Sequence, residues 1–183
     1  MKKIFTAIIL AIGMFFTLLG CNSNSDIEKP DFETQKITED IFECEIPSNW
    51  EKTDISQIEG QVVFTEKDAD LSKSVSNISI IANKTDTEAP SISEAQEQIK
   101  KQLESNFKDS VSDITFEEMD APCGKVCIVN YKLTIESTSM KLTLYYPLVD
   151  KYQVTITTTD FDDTSSPTPN EATKHIINTL KLK

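Results

Sequence analysis

Between residues 41 and 180 the chain switches back and forth between two hydrophobic periods. In 41–47, Phe42, Cys44 and Ile46 alternate with polar residues, the period-two signature of a half-buried strand that Pro47 ends. Segments 61–66 and 76–84 read as two further strands, with Ile78 and Ile80 on one side of the second. Period 3.6 then takes over. Ile92, Ala95, Ile99, Leu103 and Phe107 form one apolar stripe, while Glu97, Lys101 and Glu104 lie opposite it. Ser93 with Gln96 supplies a capping-box pattern at the front of this helix. The strand period returns in 112–119, 125–136, 139–149 and 152–159, and Asp150-Lys151 is a short hairpin link between the last two. Thr168-Pro169-Asn170-Glu171 then combines an N-cap, a first-turn proline and a capping-box glutamate. Ala172, Ile176, Ile177 and Leu180 form the buried stripe of the helix it opens.

Three strands, a helix, four strands and a helix follow in that order. Short links between successive strands predict a mostly antiparallel β-sheet of about six or seven strands, and two amphipathic helices must cover it. The expected class is therefore α+β, an α/β/α sandwich.

The first 38 residues have a different character. Lys2 and Lys3 precede an uncharged, mostly apolar run over 4–19, the layout of an export signal. Leu18-Leu19-Gly20-Cys21 resembles a bacterial lipobox, which implies cleavage before Cys21 and lipidation of that cysteine. Residues 22–38 are polar and charged and include Pro30, the composition of a tether. The expected organisation is a lipoprotein signal at 1–20, a lipidated Cys21 with its tether to 38, and one domain over 39–183. The expected location is the extracytoplasmic face of a cell membrane.

Charge narrows the partners. The whole chain carries −12, and without Lys2 and Lys3 there remain 16 basic against 30 acidic residues, or −14. Such a balance argues against nucleic acid, whose phosphates need basic partners. An odd set of cysteines beyond Cys21, namely Cys44, Cys123 and Cys127, permits one internal disulfide at most. Export allows oxidation, and 123–127 can close a small loop, yet Cys44 and Cys127 also alternate as small buried hydrophobes.

The strand and helix order, with Ile46-Pro47-Ser48-Asn49-Trp50 closing the first strand, resembles the PsbP-like family. Matching pieces are Asn77-Ile78-Ser79-Ile80, Gly124 to Tyr131, Tyr152 to Ile156 and Ile176 to Leu180, so the resemblance covers about 37–182. It implies an α/β/α sandwich and a binding or accessory module; the family has no shared catalytic motif to carry over.

Candidate sites are few. Trp50, Tyr131 and Tyr145 are the candidate ligand-binding aromatics, joined by Thr155 and Thr157 on the late strands; a core plug after the first strand is the other reading of Trp50. Asp160, Asp162 and Asp163 supply hard oxygen ligands for calcium but lack EF-hand spacing. His175 stands alone on the terminal helix, and no nucleophile triad, carboxylate dyad or phosphate-cradling glycine loop stands out. The function expected is a lipid-anchored accessory lipoprotein without catalysis or cofactor. It would present a surface to a protein or small ligand, with a calcium-responsive acidic sensor as the alternative.

Overall fold

The computed structural model describes residues 30–54, 58, 60–136, 138–161 and 165–183. The chain runs through β1 (Thr34–Thr38), β2 (Phe42–Pro47), β3 (Trp50–Thr53), β4 (Gln61–Glu66) and β5 (Asn77–Lys84) to helix α1 (Ile92–Phe107). It continues through β6 (Val111–Ala121), β7 (Gly124–Ile135), β8 (Thr138–Val149) and β9 (Tyr152–Asp160) to α2 (Pro169–Thr179) and the short β10 (Lys181–Leu182). Seven strands form the main sheet in the order β3-β4-β5-β9-β8-β7-β6, every neighbour antiparallel. The class is the expected one: an α+β fold of mostly antiparallel sheet, with two α-helices among the described residues.

Strand membership differs from expectation. The first predicted strand, β2, does not join the main sheet; it pairs with β1 on one side and β10 on the other. Its alternation shows that one face is buried but not which neighbours it takes. Trp50, which follows the first predicted strand, opens a strand of its own, β3, and pairs with Glu66. Thr34–Thr38, expected in the tether, is a strand, so ordered structure starts before residue 39.

Side-chain alternation along the strands gives the main sheet two faces, each with its own core. Val126 and Ile128 of β7, Val154 and Ile156 of β9, and Ile78 and Ile80 of β5 meet Ala172, Ile176 and Ile177 of α2 together with Phe42, Cys44 and Ile46 of β2. On the other face Cys127, Val129, Tyr131 and Leu133 of β7 and Leu142, Leu144 and Tyr146 of β8 meet Ala95, Ile99 and Leu103 of α1. The link from β6 to β7 turns at Gly124, whose φ of +125° and a carbonyl oxygen of Leu148 only 3.0 Å from a would-be Cβ leave no room for a side chain.

Both helices open on complete capping boxes. In α2 the Thr168 hydroxyl accepts from the Glu171 amide while the Glu171 carboxylate accepts from the Thr168 amide, as expected. In α1 the cap is Ser91 with Glu94, two residues before the predicted Ser93 with Gln96. Both pairs have the required spacing, but an ionised Glu at the helix N-terminus interacts better with the macrodipole than a neutral Gln.

Candidate functional site

Placement of the predicted residues comes first. Trp50 is 0% exposed, Tyr131 6% and Tyr145 2%. Trp50 and Tyr145 belong to the core beneath α2, whereas Tyr131 lies on the opposite face against α1. The three therefore line no common surface, and the Trp50 indole nitrogen finds no acceptor among the described residues. Thr155 and Thr157 alternate with Val154 and Ile156, so they share the face of Tyr131 and not that of Tyr145. Asp160 ends β9 directly opposite Lys141 of β8, while Asp162, Asp163 and Cys21 lie outside the described residues. No group of three or more metal-ligating side chains forms among the described residues.

The three described cysteines are unbonded. Cys123 packs on the α2 side, where its thiol donates to the Ile177 carbonyl at 3.9 Å, and Cys127 faces α1. Opposite faces of the sheet keep those two sulfurs apart. Burial pushes the Cys44 thiol up to about 12, with help from the nearby Glu39 and Glu45 carboxylates, and pushes Cys123 and Cys127 up to about 11. Thiols held in that range carry almost no thiolate at neutral pH.

His175 is buried at 7% exposure and serves the N-terminal segment. Its Nε2 lies 3.2 Å from Glu45 Oε2, which also accepts from the Thr34 hydroxyl at 3.1 Å. The Phe32 ring meets the imidazole edge-on with centroids 5.6 Å apart. This cluster clasps the start of the domain onto α2.

Leu71 is the one exposed large hydrophobe among the described residues, and polar side chains make up much of what they expose. One such surface is built across four strands on the α2 side of the main sheet. Moving along the strands from the core, the row Ile128, Tyr145 and Ile156 gives way to Asn130, Thr143 and Thr158, and then to Lys132, Lys141 and Asp160; within each row the residues are direct cross-strand partners. The middle row is hydrogen-bonded throughout. The Thr143 hydroxyl donates to Asn130 Oδ1 at 2.9 Å, and Asn130 Nδ2 donates to Glu117 of β6 at 2.9 Å. Asn170, in the first turn of α2, closes the shelf from above: its Oδ1 accepts from the Thr158 hydroxyl at 3.0 Å and from the Tyr145 phenol at 3.2 Å.

Of this group the sequence reading singled out only Tyr145 and Asp160 as candidates. The available signal was the β7–β8 hairpin: pairing Ile135 with Thr138 fixes the register and brings Lys132 opposite Lys141.

No protein-family model matches the chain, and no curated protein is significantly similar to it in sequence. Solved structures do share its fold. The cyanobacterial PsbP (CyanoP) of Synechocystis sp. PCC 6803 superposes with a TM-score of 0.56 at 13% identity, over 91% of this chain and 99% of that one. The Ran-binding protein Mog1p of Saccharomyces cerevisiae gives 0.55 at 8% identity, over 83% and 96%. A Bacteroides thetaiotaomicron protein gives 0.50 at 19% identity, over 78% of this chain but 45% of its own, so the chain spans less than half of that protein. These likenesses define the class: a PsbP-like α+β fold. At such identities the fold is what is shared.

Proposed function

We propose that this protein is a lipid-anchored, extracytoplasmic binding or accessory module that presents its folded domain at a membrane surface and does no chemistry itself. The observation that carries the reading is Leu18-Leu19-Gly20-Cys21, a lipobox-like boundary between an apolar run and polar sequence. Two or more acyl chains hold a protein stably, where one alone is marginal. The nine residues from Cys21 through Lys29 reach at most about 30 Å even fully extended, which keeps a domain ordered from Pro30 close to the bilayer. No described helix is long and apolar enough to cross a membrane, and the apolar run over 4–19 lies outside the described residues. The fold of Mog1p, a Ran-binding protein, is consistent with a binding role for the same architecture.

The test is metabolic labelling with palmitate in a bacterial host, followed by detergent phase partition. The native chain is expected to take up label and enter the detergent phase, and Cys21→Ala to lose both. Label retained by Cys21→Ala overturns the reading.

A further inference from the structure

We infer that the outer edge of β6, over residues 115–121, docks an extended, lysine- or arginine-bearing segment of a partner protein as an added strand. The inference rests on the binding-module half of the reading above and not on the anchor.

Backbone chemistry supplies the first observation. Strand β6 ends the main sheet, and among the described residues only β7 pairs with it. After a register shift between Ser112 and Thr115, it runs from Thr115 to Ala121 opposite Asn130 to Gly124 without a break. Alternate residues of an antiparallel strand turn their N–H and C=O groups to one side, so about three or four of these seven point theirs away from β7. Natural sheet edges are blunted by shortness, proline, lysine or bulges. The opposite edge, β3, has only four residues. The stretch 115–121 has no proline and no lysine, and its pairing is regular.

Charge supplies the second observation. Glu117, Glu118 and Asp120 put three carboxylates on this stretch, with Thr115 as its one uncharged polar residue. Lys125 faces Asp120 across the strand pair and reaches Glu118 at 3.9 Å and Asp120 at 3.6 Å. All three of those side chains are more than half exposed, so water screens the contacts, and one cation leaves the stretch negative. Glu117 accepts from the neutral Asn130 amide, which offsets none of its charge.

These charges choose the occupant. Two copies paired edge to edge would crowd the carboxylates of both into one ribbon, and like charges across a strand pair repel. A basic strand meets the same groups as opposite charges, so one feature attracts the partner and excludes self-pairing. Half-buried Phe116 packs with the α1 core and half-buried Met119 with the α2 core, which gives the added strand an apolar contact on each face.

The test is titration of the ¹⁵N-labelled full chain, purified in neutral detergent, with a short end-capped peptide alternating lysine and valine. Saturating amide shifts are expected at 115–121 and along β7, and none with a peptide alternating glutamate and valine. N-methylating one alternate set of peptide amides should abolish binding, while methylating the other set should leave it intact, since an added strand bonds the edge through one set only. Glu118→Lys and Asp120→Lys should each weaken the affinity about fivefold or more, the upper range for an exposed ion pair. Glu97→Lys, an equal change of charge on the solvent face of α1, should leave it unchanged.

Absence of saturable binding overturns the inference. So do two methylated sets that behave alike, or an equal loss in Glu97→Lys, because either would reduce the effect to bulk charge. Concentration-dependent dimerisation of the chain alone through 115–121 also overturns it, since the occupant would then be a second copy. None of these outcomes touches the anchor, which palmitate labelling tests separately.

Discussion

Taking a sulfur out of water disfavours its charged form, and the three described cysteines sit in such places for different reasons. Cys44 is locked under α2 and also faces two carboxylates; Cys123 and Cys127 are raised chiefly by burial. Folding therefore holds protons that the unfolded chain releases near its ordinary value of 9.0. Stability from this source is complete below about pH 9 and is lost as the pH climbs through 11 to 12. Tyr145, pushed up to about 12 by burial first and Glu117 second, adds to the loss in the same direction. The urea midpoint is expected to fall steadily above pH 9. At pH 8 a thiol reagent should modify Cys44, Cys123 and Cys127 slowly in buffer and rapidly in urea. Fast modification of the native protein would contradict the burial described for them.

At the scale of elements, the helix starts separate two nearby serines. Ser91 caps α1 by accepting from the Glu94 amide, whereas Ser93 is already inside the helix. Ser91→Ala is expected to cost about 1 kcal/mol in chemical denaturation. Ser93→Ala should stay within about 0.5 kcal/mol of the native protein. The Glu94 carboxyl, held below its usual range by the Ser91 hydroxyl and amide, works in the opposite pH sense to the thiols. Its contribution is present above about pH 4.5 and disappears as the pH falls through its lowered value.

Periodicity made most of these elements legible. The hairpin strands β7, β8 and β9 and both helices bury enough apolar residues at regular spacing to show themselves. What stayed hidden was short or polar. Thr34–Thr38 and Trp50–Thr53 have mostly exposed or half-buried side chains, so their β character depends on partners distant in sequence. The shelf stayed hidden for a related reason: Asn130 and Lys132 read only as outward positions of a strand, and their chemistry arises when register sets them beside Thr143 and Lys141.

The whole molecule is organised by one sheet that serves two cores. Odd positions of β7 face α1 and even positions face α2, so neither helix can leave without exposing a strand that the other still needs. Unfolding is therefore expected to be a single cooperative event, although the buried residues form two separate clusters. Leu103 and Ile176, each 0% exposed, report on opposite faces. Leu103→Ala and Ile176→Ala should each cost about 2–5 kcal/mol, the range for truncating a large aliphatic side chain in a close-packed core. Their cavities open on different sides of the sheet and have no common lining, so the double variant should lose the sum of the two within about 0.5 kcal/mol. A double-mutant cycle by urea denaturation, read by both far-ultraviolet circular dichroism and Trp50 fluorescence, measures this directly. Coincident transitions with near-additive losses would bear out the description of two cores on one sheet. A coupling above about 1 kcal/mol, or an α1 variant that melts one probe ahead of the other, would show that the faces are not joined in that way.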